Sequence, residues 1–341
     1  MIDLRWGLNF IIRPEVFVPL IFPGLAVGGL TLLGIIWLER KAVGKIQLRY
    51  GPLLVTPRLG GILQLLADGI KFFFSEPIIP RNVDKLSFIF APILIFAFSI
   101  LPVIGIPLSE SYIAIASSMS LLVVLALLVI TPIFFWVMGW ASNNKFSFLG
   151  GVREGYLTVS YEIPFILSVI AMAGLYNSVD LIEIVNSQVG GWGGLINPIA
   201  ALTFFLTTMI STGKFPYEIG EADSEIIGGV GTEYSGILYM CVMGASYLRL
   251  YVMSLLFTVL FLGGWNPLPS FVPSSGFLPG ILIFIKSFIV MGVMVLFRGV
   301  YPRLRIDQAV RISWQKLFVL SMASVAFSVG LVMMGFGGIV S

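Results

Sequence analysis

Long apolar runs separated by short polar stretches dominate the chain. Runs long enough to cross a bilayer fall at 16–38, 86–108, 112–140, 157–176, 194–212, 234–262, 277–298 and 315–338. About 20 apolar residues in a helix cover the ~30 Å hydrocarbon core of a membrane, so these runs predict eight transmembrane helices. The expected fold class is all-α, a polytopic membrane protein whose residues 1–341 form a single integral membrane domain. The first run is 23 residues long and follows a segment, residues 1–15, that carries acidic and basic residues equally. It therefore reads as a retained span and not as a cleaved signal peptide.

One shorter pattern stands out in the loop 39–85. Leu59, Ile62, Leu63, Leu66, Ile70, Phe73 and Phe74 recur at helical spacing, with Gln64, Asp68, Lys71 and Ser75 between them. These 16 residues are too few to span a bilayer, so the spacing predicts an amphipathic helix over 59–74 that lies in the membrane interface. A helix packed beneath the bundle is the alternative.

Charge gives the runs a direction. The loops after odd-numbered spans hold Arg40, Lys41, Lys45, Arg49, Arg58, Lys71, Arg81, Lys85, Lys145, Arg153, Lys214, Arg298, Arg303, Arg305, Arg311 and Lys316, sixteen in all, and the loops after even-numbered spans hold none. Basic residues concentrate on the cytoplasmic or matrix side, which puts both termini outside and the basic loops inside. Composition agrees: 58% of residues are hydrophobic and 11% charged, against roughly 25% charged in soluble chains.

The absences exclude whole classes of chemistry. With no histidine there is no imidazole for haem or zinc and no Ser/His or Cys/His catalytic pair. The single cysteine, Cys241, can neither close an intrachain disulfide nor hold an iron–sulfur cluster alone. No GxGxxG or GxxxxGK[ST] motif offers a phosphate cradle. The chain is thus expected to bind no metal, cofactor or nucleic acid and to contain no catalytic residue that works in isolation. Any redox centres belong to partners, and proton chemistry near neutral pH falls to carboxylates or lysines with shifted pKa values.

Candidate chemistry concentrates in the loop 213–233. Glu218, Glu221, Asp223, Glu225 and Glu233 are five of the chain's seventeen acidic residues, with only Lys214 nearby to neutralise them. Read as a helix from Tyr217, Glu218, Glu221 and Glu225 share one face. Partly buried there, they would repel, and their pKa values would rise and separate; a solvated acidic loop is the alternative. Within the spans sit Glu162, Arg249 and Lys286, each costing at least ~2.5 kcal/mol in lipid and so expected to face protein or water. Glu162 lies between Tyr161 and Pro164, and the proline leaves a carbonyl one turn earlier without its donor. For Arg249 and Lys286, mutual pairing and a proton or ligand role both stay open. In the first basic loop Glu39 is outnumbered by Arg40, Lys41, Lys45 and Arg49, with Asp68 and Lys71 further on. Its Gly and Pro punctuation suggests a packed, partner-facing loop.

The motifs taken in order carry a resemblance. They are Glu39-Arg-Lys with Gln47, Arg49-Tyr-Gly-Pro, Leu63-Gln-Leu-Leu-Ala-Asp68-Gly-Ile-Lys71 with Glu76, and Trp140-Ala-Ser-Asn-Asn-Lys-Phe-Ser-Phe-Leu-Gly-Gly-Val-Arg153. Then come Ser160-Tyr-Glu162, Phe215-Pro, Glu221-Ala-Asp-Ser-Glu225, Glu233-Tyr-Ser-Gly, Phe261-Leu-Gly-Gly-Trp265 and Pro302-Arg-Leu-Arg-Ile-Asp307-Gln. From about residue 37 to 318 the chain resembles the quinone-site membrane subunit of respiratory complex I, the NADH-quinone oxidoreductase of bacteria, a subunit known in mitochondria as NADH dehydrogenase subunit 1.

The resemblance implies a subunit of a proton-pumping translocase that does not act alone. With two peripheral-arm subunits, one carrying the terminal iron–sulfur cluster, it would form the chamber where the substrate quinone is reduced. Antiporter-like and small membrane subunits and membrane lipid would be its other partners, in a plasma membrane or, if organellar, the mitochondrial inner membrane. The quinone tail would enter between the first span, the interfacial helix and the sixth span. The chamber and its peripheral-arm interface would take Glu39, Arg40, Lys41, Gln47, Arg49, Asp68, Lys71, Lys214, Phe215 and Tyr217. Glu162, Glu218, Glu221, Asp223, Glu225 and Glu233, with Glu39 and Asp68, would form a proton-relaying carboxylate funnel. Arg153, Arg249, Lys286, Arg298 and Arg303 would balance it.

Lys214-Phe-Pro-Tyr217-Glu218 departs from the family's Arg-x-Pro-Phe-Asp, Asp223 from its Glu, and Leu53 from its Asn; lysine cannot make a planar bidentate contact. A homologous anchor subunit of a membrane-bound hydrogenase or ferredoxin-linked complex is the alternative, favoured less by the intact Phe261-Leu-Gly-Gly-Trp265 stretch. A free-standing secondary transporter fits poorly without an internal repeat. The topology has a direct test. Cysteines introduced at positions 60 and 228 should resist an impermeant thiol reagent applied to the outer face of sealed vesicles, and labelling of intact vesicles there would reverse the assignment.

Overall fold

A computed structural model describes residues 13–268 and 276–335. The helices are α1 (Pro14–Leu20), α2 (Leu25–Ile46), α3 (Gln64–Phe74), α4 (Lys85–Ile100), α5 (Ser120–Ala141), α6 (Lys145–Tyr176), α7 (Leu181–Ser187), α8 (Pro198–Ser211), α9 (Gly236–Phe261), α10 (Leu278–Val300), α11 (Ile306–Ile312) and α12 (Phe318–Met333), joined by single turns and loops. Among the described residues there is no strand, and the fold is that of an all-α polytopic membrane protein.

Among the described residues, seven helical segments are long and apolar enough to cross a membrane: Pro14–Ile46, Lys85–Gly105, Ser120–Ala141, Lys145–Tyr176, Gly236–Phe261, Leu278–Val300 and Ile306–Met333. The remaining expected span, 194–212, appears as α8, only 14 residues, or ~21 Å of helix, and falls among the shorter apolar helices. It is enclosed by protein: it packs on α6, α9 and α12, and Thr203, Phe204, Thr207 and Thr208 are fully buried. Both chain termini, whose side of the membrane the charge pattern predicts, lie outside the described residues.

α9 is buried along most of its length, Arg249, Ser254 and Thr258 included, as a helix surrounded by others is, and it packs against α2, α4, α8 and α10. α6 begins well before the expected residue 157. Its 32 residues run to ~48 Å, longer than a bilayer core, so its first turns carry Arg153 and Glu154 where a loop was expected. Glycines interrupt the apolar run there without interrupting the helix. A Cβ on Gly155 would overlap the Trp136 indole, and one on Gly150 would come within 2.6 Å of the Val230 amide. Asn144 starts the helix by accepting a hydrogen bond from the Phe146 amide at 2.9 Å.

Three boundaries differ for local reasons. The helix expected from 112 begins at Ser120, because the Ser117 hydroxyl accepts the Met119 amide at 3.2 Å and offers the backbone a turn instead. The surface helix begins at Gln64, not 59, because Gly60 and Gly61 have φ of +65° and +78°. Its Leu65 is buried while Leu66, Ile70, Phe73 and Phe74 stay exposed, which suits an interface helix more than one sealed beneath the bundle. The last span starts earlier than 315, at Ile306, and passes through a widened turn at Ser313–Leu317.

A buried amide fastens α8 to α12. Asn197, fully buried, donates to the Ser324 carbonyl at 3.0 Å and the Ser328 hydroxyl at 2.8 Å, and accepts from the Ala200 amide at 3.0 Å. Asn197→Ala orphans these groups and should cost about 1–3 kcal/mol, read as a lower thermal unfolding midpoint in detergent. An unchanged midpoint would mean that the link carries no stability.

Candidate functional site

α2, α3 and α9 enclose a cavity of about 1010 Å³. Its apolar part is walled by Leu30 and Leu33 of α2, Leu66 and Phe73 of α3, and Met240 and Gly244 of α9. Toward the basic loops the lining includes Glu39, Arg40, Asp68, Lys214, Glu218, Glu221 and Arg298, and Glu154 of α6 and Arg249 of α9 line it from within the bundle. The cavity therefore combines apolar and charged walls.

Glu39 organises the charged end. It is 5% exposed, forms an ion pair with Arg298 and accepts from the Tyr247 hydroxyl at 3.2 Å. Arg298 also reaches Glu218 at 3.6 Å and lies over the Phe215 ring, 5.5 Å from its centroid. The Lys214 ammonium sits 3.4 Å above the Tyr247 ring, a contact a compact cation makes well. Thus the lysine serves this site through an aromatic face. Arg40 pairs with Asp68 at 2.9 Å, and Gln64 donates to the same carboxylate at 3.1 Å, tying α2 to α3.

The acidic loop is not the helix its spacing suggests. Asp223–Ile226 makes a single α-helical turn, which Ile227 at φ +63° ends, and a 3-10 turn follows at Gly229–Gly231. The loop is pressed onto α6 instead: a Cβ on Gly220 would lie 2.7 Å from Glu154 Oε2, and Gly229 abuts the Gly220 carbonyl. Glu218, Glu221 and Glu225 therefore do not share one face. Glu218 and Glu221 line the cavity, while Glu225 turns to Arg153 at 2.5 Å and Arg303 at 2.8 Å. Hydrogen bonding to Arg153, supported by Arg303, holds the Glu225 carboxyl below its usual range. This is the opposite of the upward shift expected if Glu218, Glu221 and Glu225 were partly buried on one shared face. Glu233 accepts from Asn144 at 2.5 Å. Burial pushes the Tyr217 phenol above its ordinary value, and the Leu304 amide donates to Pro216 at 2.9 Å, stitching this loop to the one after α10.

Of the residues expected at a chamber, Glu39, Arg40, Asp68 and Lys214 meet at the cavity, whereas Lys41, Gln47, Arg49, Lys71, Phe215 and Tyr217 do not line it. Gln47 and Arg49 bond to each other at 2.8 Å on the surface. Glu162, Glu225 and Glu233 also stand off the cavity, and the backbone of Asp223 opens the short turn. Arg249 and Lys286 do not pair. Lys286 donates to the carbonyls of Leu262, Gly264 and Asn266 at 2.8, 2.9 and 2.5 Å, holding the turn that follows α9 and balancing no carboxylate among the described residues.

Sequence reasoning missed Glu154. It is 8% exposed and lines the cavity beside Arg249. The signal was present: Glu154, Thr158 and Tyr161 follow i, i+4, i+7, which becomes visible once α6 is allowed to run through its glycines.

The fold and this cavity define a class: a polytopic, all-helical membrane protein with a large cavity lined by both apolar and charged side chains. A family profile described as NADH dehydrogenase matches residues 21–329. The H subunit of NADH-quinone oxidoreductase from Bacillus thuringiensis (strain Al Hakam) is 38% identical over 318 residues, 93% of each chain. Its counterpart of the same name from Geobacillus thermodenitrificans (strain NG80-2) is 35% identical over 291 residues, 85% of this chain and 86% of its own. The chain belongs to this NADH dehydrogenase family of membrane subunits, which bears out the resemblance in the motifs.

The Glu225 pairing has a pH signature. A depressed carboxyl pKa stabilises the docked loop above the ordinary carboxylate range and loses that contribution as pH falls through the depressed value. Amides 221–233 should be protected from hydrogen exchange at neutral pH and released on acidification, and Glu225→Gln should release them already at neutral pH. Equal protection in both proteins would remove the pairing from loop docking.

Proposed function

We propose that the chain is the membrane subunit of a complex I-type oxidoreductase and that its cavity is the membrane-side chamber for quinone. The observation that supports this reading most is the cavity's mixed lining: apolar side chains of α2, α3 and α9 together with a cluster of opposed charges. Pockets for small ligands hold ~300–1,000 Å³, so about 1010 Å³ suits a polar head group on a long hydrocarbon tail. The apolar walls take the tail and the charged end receives the head.

Electrons come from centres on partner subunits, since one cysteine and no histidine fit neither a cluster nor a haem. What this chain supplies is enclosure and field. Reduction of the head group changes charge beside Glu218 and Glu221, and in a partly dehydrated cavity such a change acts strongly on neighbouring carboxylates. The carboxylates pass that change toward antiporter-like subunits, with Arg298 and Arg249 as the nearby cations. The same reading makes the surface around Arg40, Lys41 and Arg49 the seat of the peripheral arm and places the assembly in the plasma membrane.

Two glycines allow the chamber to be blocked without disturbing the helices. Gly29 and Gly69 both line the cavity, and a Cβ on either meets nothing within 4 Å. Gly29→Phe and Gly69→Phe should leave assembly and reduction of a water-soluble acceptor intact. Reduction of long-tailed quinone should fall at least tenfold, and that of a tail-less quinone much less. Undiminished long-tailed quinone reduction in both variants would end the chamber assignment.

A further inference from the structure

Arg249 is 3% exposed inside the helix bundle. Its Nη2 donates to the Tyr161 hydroxyl at 2.7 Å, but its Nε and Nη1 have no hydrogen-bond partner. Two carboxylates of α6 lie within its field, Glu154 on the cavity side and Glu162 off it. Glu154 is 8% exposed, and Oε1 of Glu162 is buried without a partner. Two anions and one cation, with the cation and Glu154 almost fully buried, leave one charge uncompensated, which a protein interior disfavours. A proton on one carboxyl removes that excess.

We propose that Glu154 and Glu162 share one proton under Arg249, whose guanidinium turns to whichever of the two is ionised. The inference deepens the relay reading above, naming the element that carries charge out of the cavity. A proton arriving from the cavity binds the Glu154 carboxylate; Arg249 then faces Glu162, whose carboxyl releases its proton on the other side. One proton enters, one leaves, and the cluster's net charge is unchanged. Arg249 is a positioning residue, held near both carboxylates by Tyr161.

The surrounding groups allow this exchange. Glu221 acts on Glu154 from the acidic loop. Tyr247 and Tyr251 flank Arg249 on α9 itself, and both are engaged, Tyr247 with Glu39 and Tyr251 with the Pro23 carbonyl. Arg298 is committed to Glu39 and Glu218, and Lys214 to the Tyr247 ring. Neither cation is therefore available to replace Arg249.

Infrared spectroscopy of the full chain in lipid nanodiscs at neutral pH tests the sharing directly. Removing either carboxyl leaves the other with Arg249 to itself, so it ionises. Wild type minus Glu154→Gln and wild type minus Glu162→Gln should therefore each contain a protonated-carboxyl band of the same intensity, shifted in deuterium oxide. Arg249→Met should raise that band about twofold, since neither acid then has a cation. Arg249→Lys, with circular dichroism as the folding control, should keep the wild-type band. Absence of the band from either difference spectrum would overturn the proposal, because independent acids lose at most their own signal. No quinone is present, so the result does not depend on what the cavity binds. The glycine variants above alter neither carboxyl, and failure of one proposal is distinguishable from failure of the other.

Discussion

A carboxylate buried at the end of a membrane helix must have a cation, and at this site Arg298 supplies it. Glu39 comes from α2, Arg298 from α10 and Glu218 from the acidic loop, so one guanidinium joins three parts of the chain at the charged end of the cavity. Removing one partner from such a buried pair leaves the other uncompensated, at ~3–5 kcal/mol. The pairing thus holds the acidic loop against the mouth of the bundle while keeping that end polar. Tyr247 adds the fourth side, giving its hydroxyl to Glu39 and its ring face to Lys214.

The second constraint is steric. Gly150, Gly220 and Gly229 let the acidic loop lie directly on α6, closer than any side chain would permit. That contact brings the loop's Glu221 near Glu154, a residue more than sixty positions earlier in the chain. It also aims Glu225 away from the cavity, into the grip of Arg153 and Arg303. Acids that are neighbours in sequence are thereby divided between two jobs: Glu218 and Glu221 face the cavity, and Glu225 anchors the loop.

The charges inside the bundle divide in the same way. Lys286 spends its three donors on the backbone carbonyls of Leu262, Gly264 and Asn266 in the turn that follows α9. Arg249 has spent only one nitrogen. Cost in lipid alone treats the two alike; the contacts separate a structural tie from a residue with donors to offer.

Composition and charge order were enough to establish an all-helical membrane protein, because burial in hydrocarbon demands apolar runs and satisfied backbones whatever the fold. The ordered motifs were enough to establish the family, since membership rests on residue identity. Glu39, Asp68 and Glu218 could also be picked out as charges that need an explanation. Their partners could not, because Arg298 stands far from Glu39 in sequence and only the packing of α10 against α2 unites them. The acidic loop shows the same limit. Helical spacing put Glu218, Glu221 and Glu225 on one face, but glycine contacts with α6 outweighed local propensity and turned them apart. Glu154 was hidden for a related reason: the glycines that made its surroundings look like a loop are those that let a helix pack tightly. Periodicity records what a segment would do alone, whereas close approach and ion pairing depend on what lies across from it.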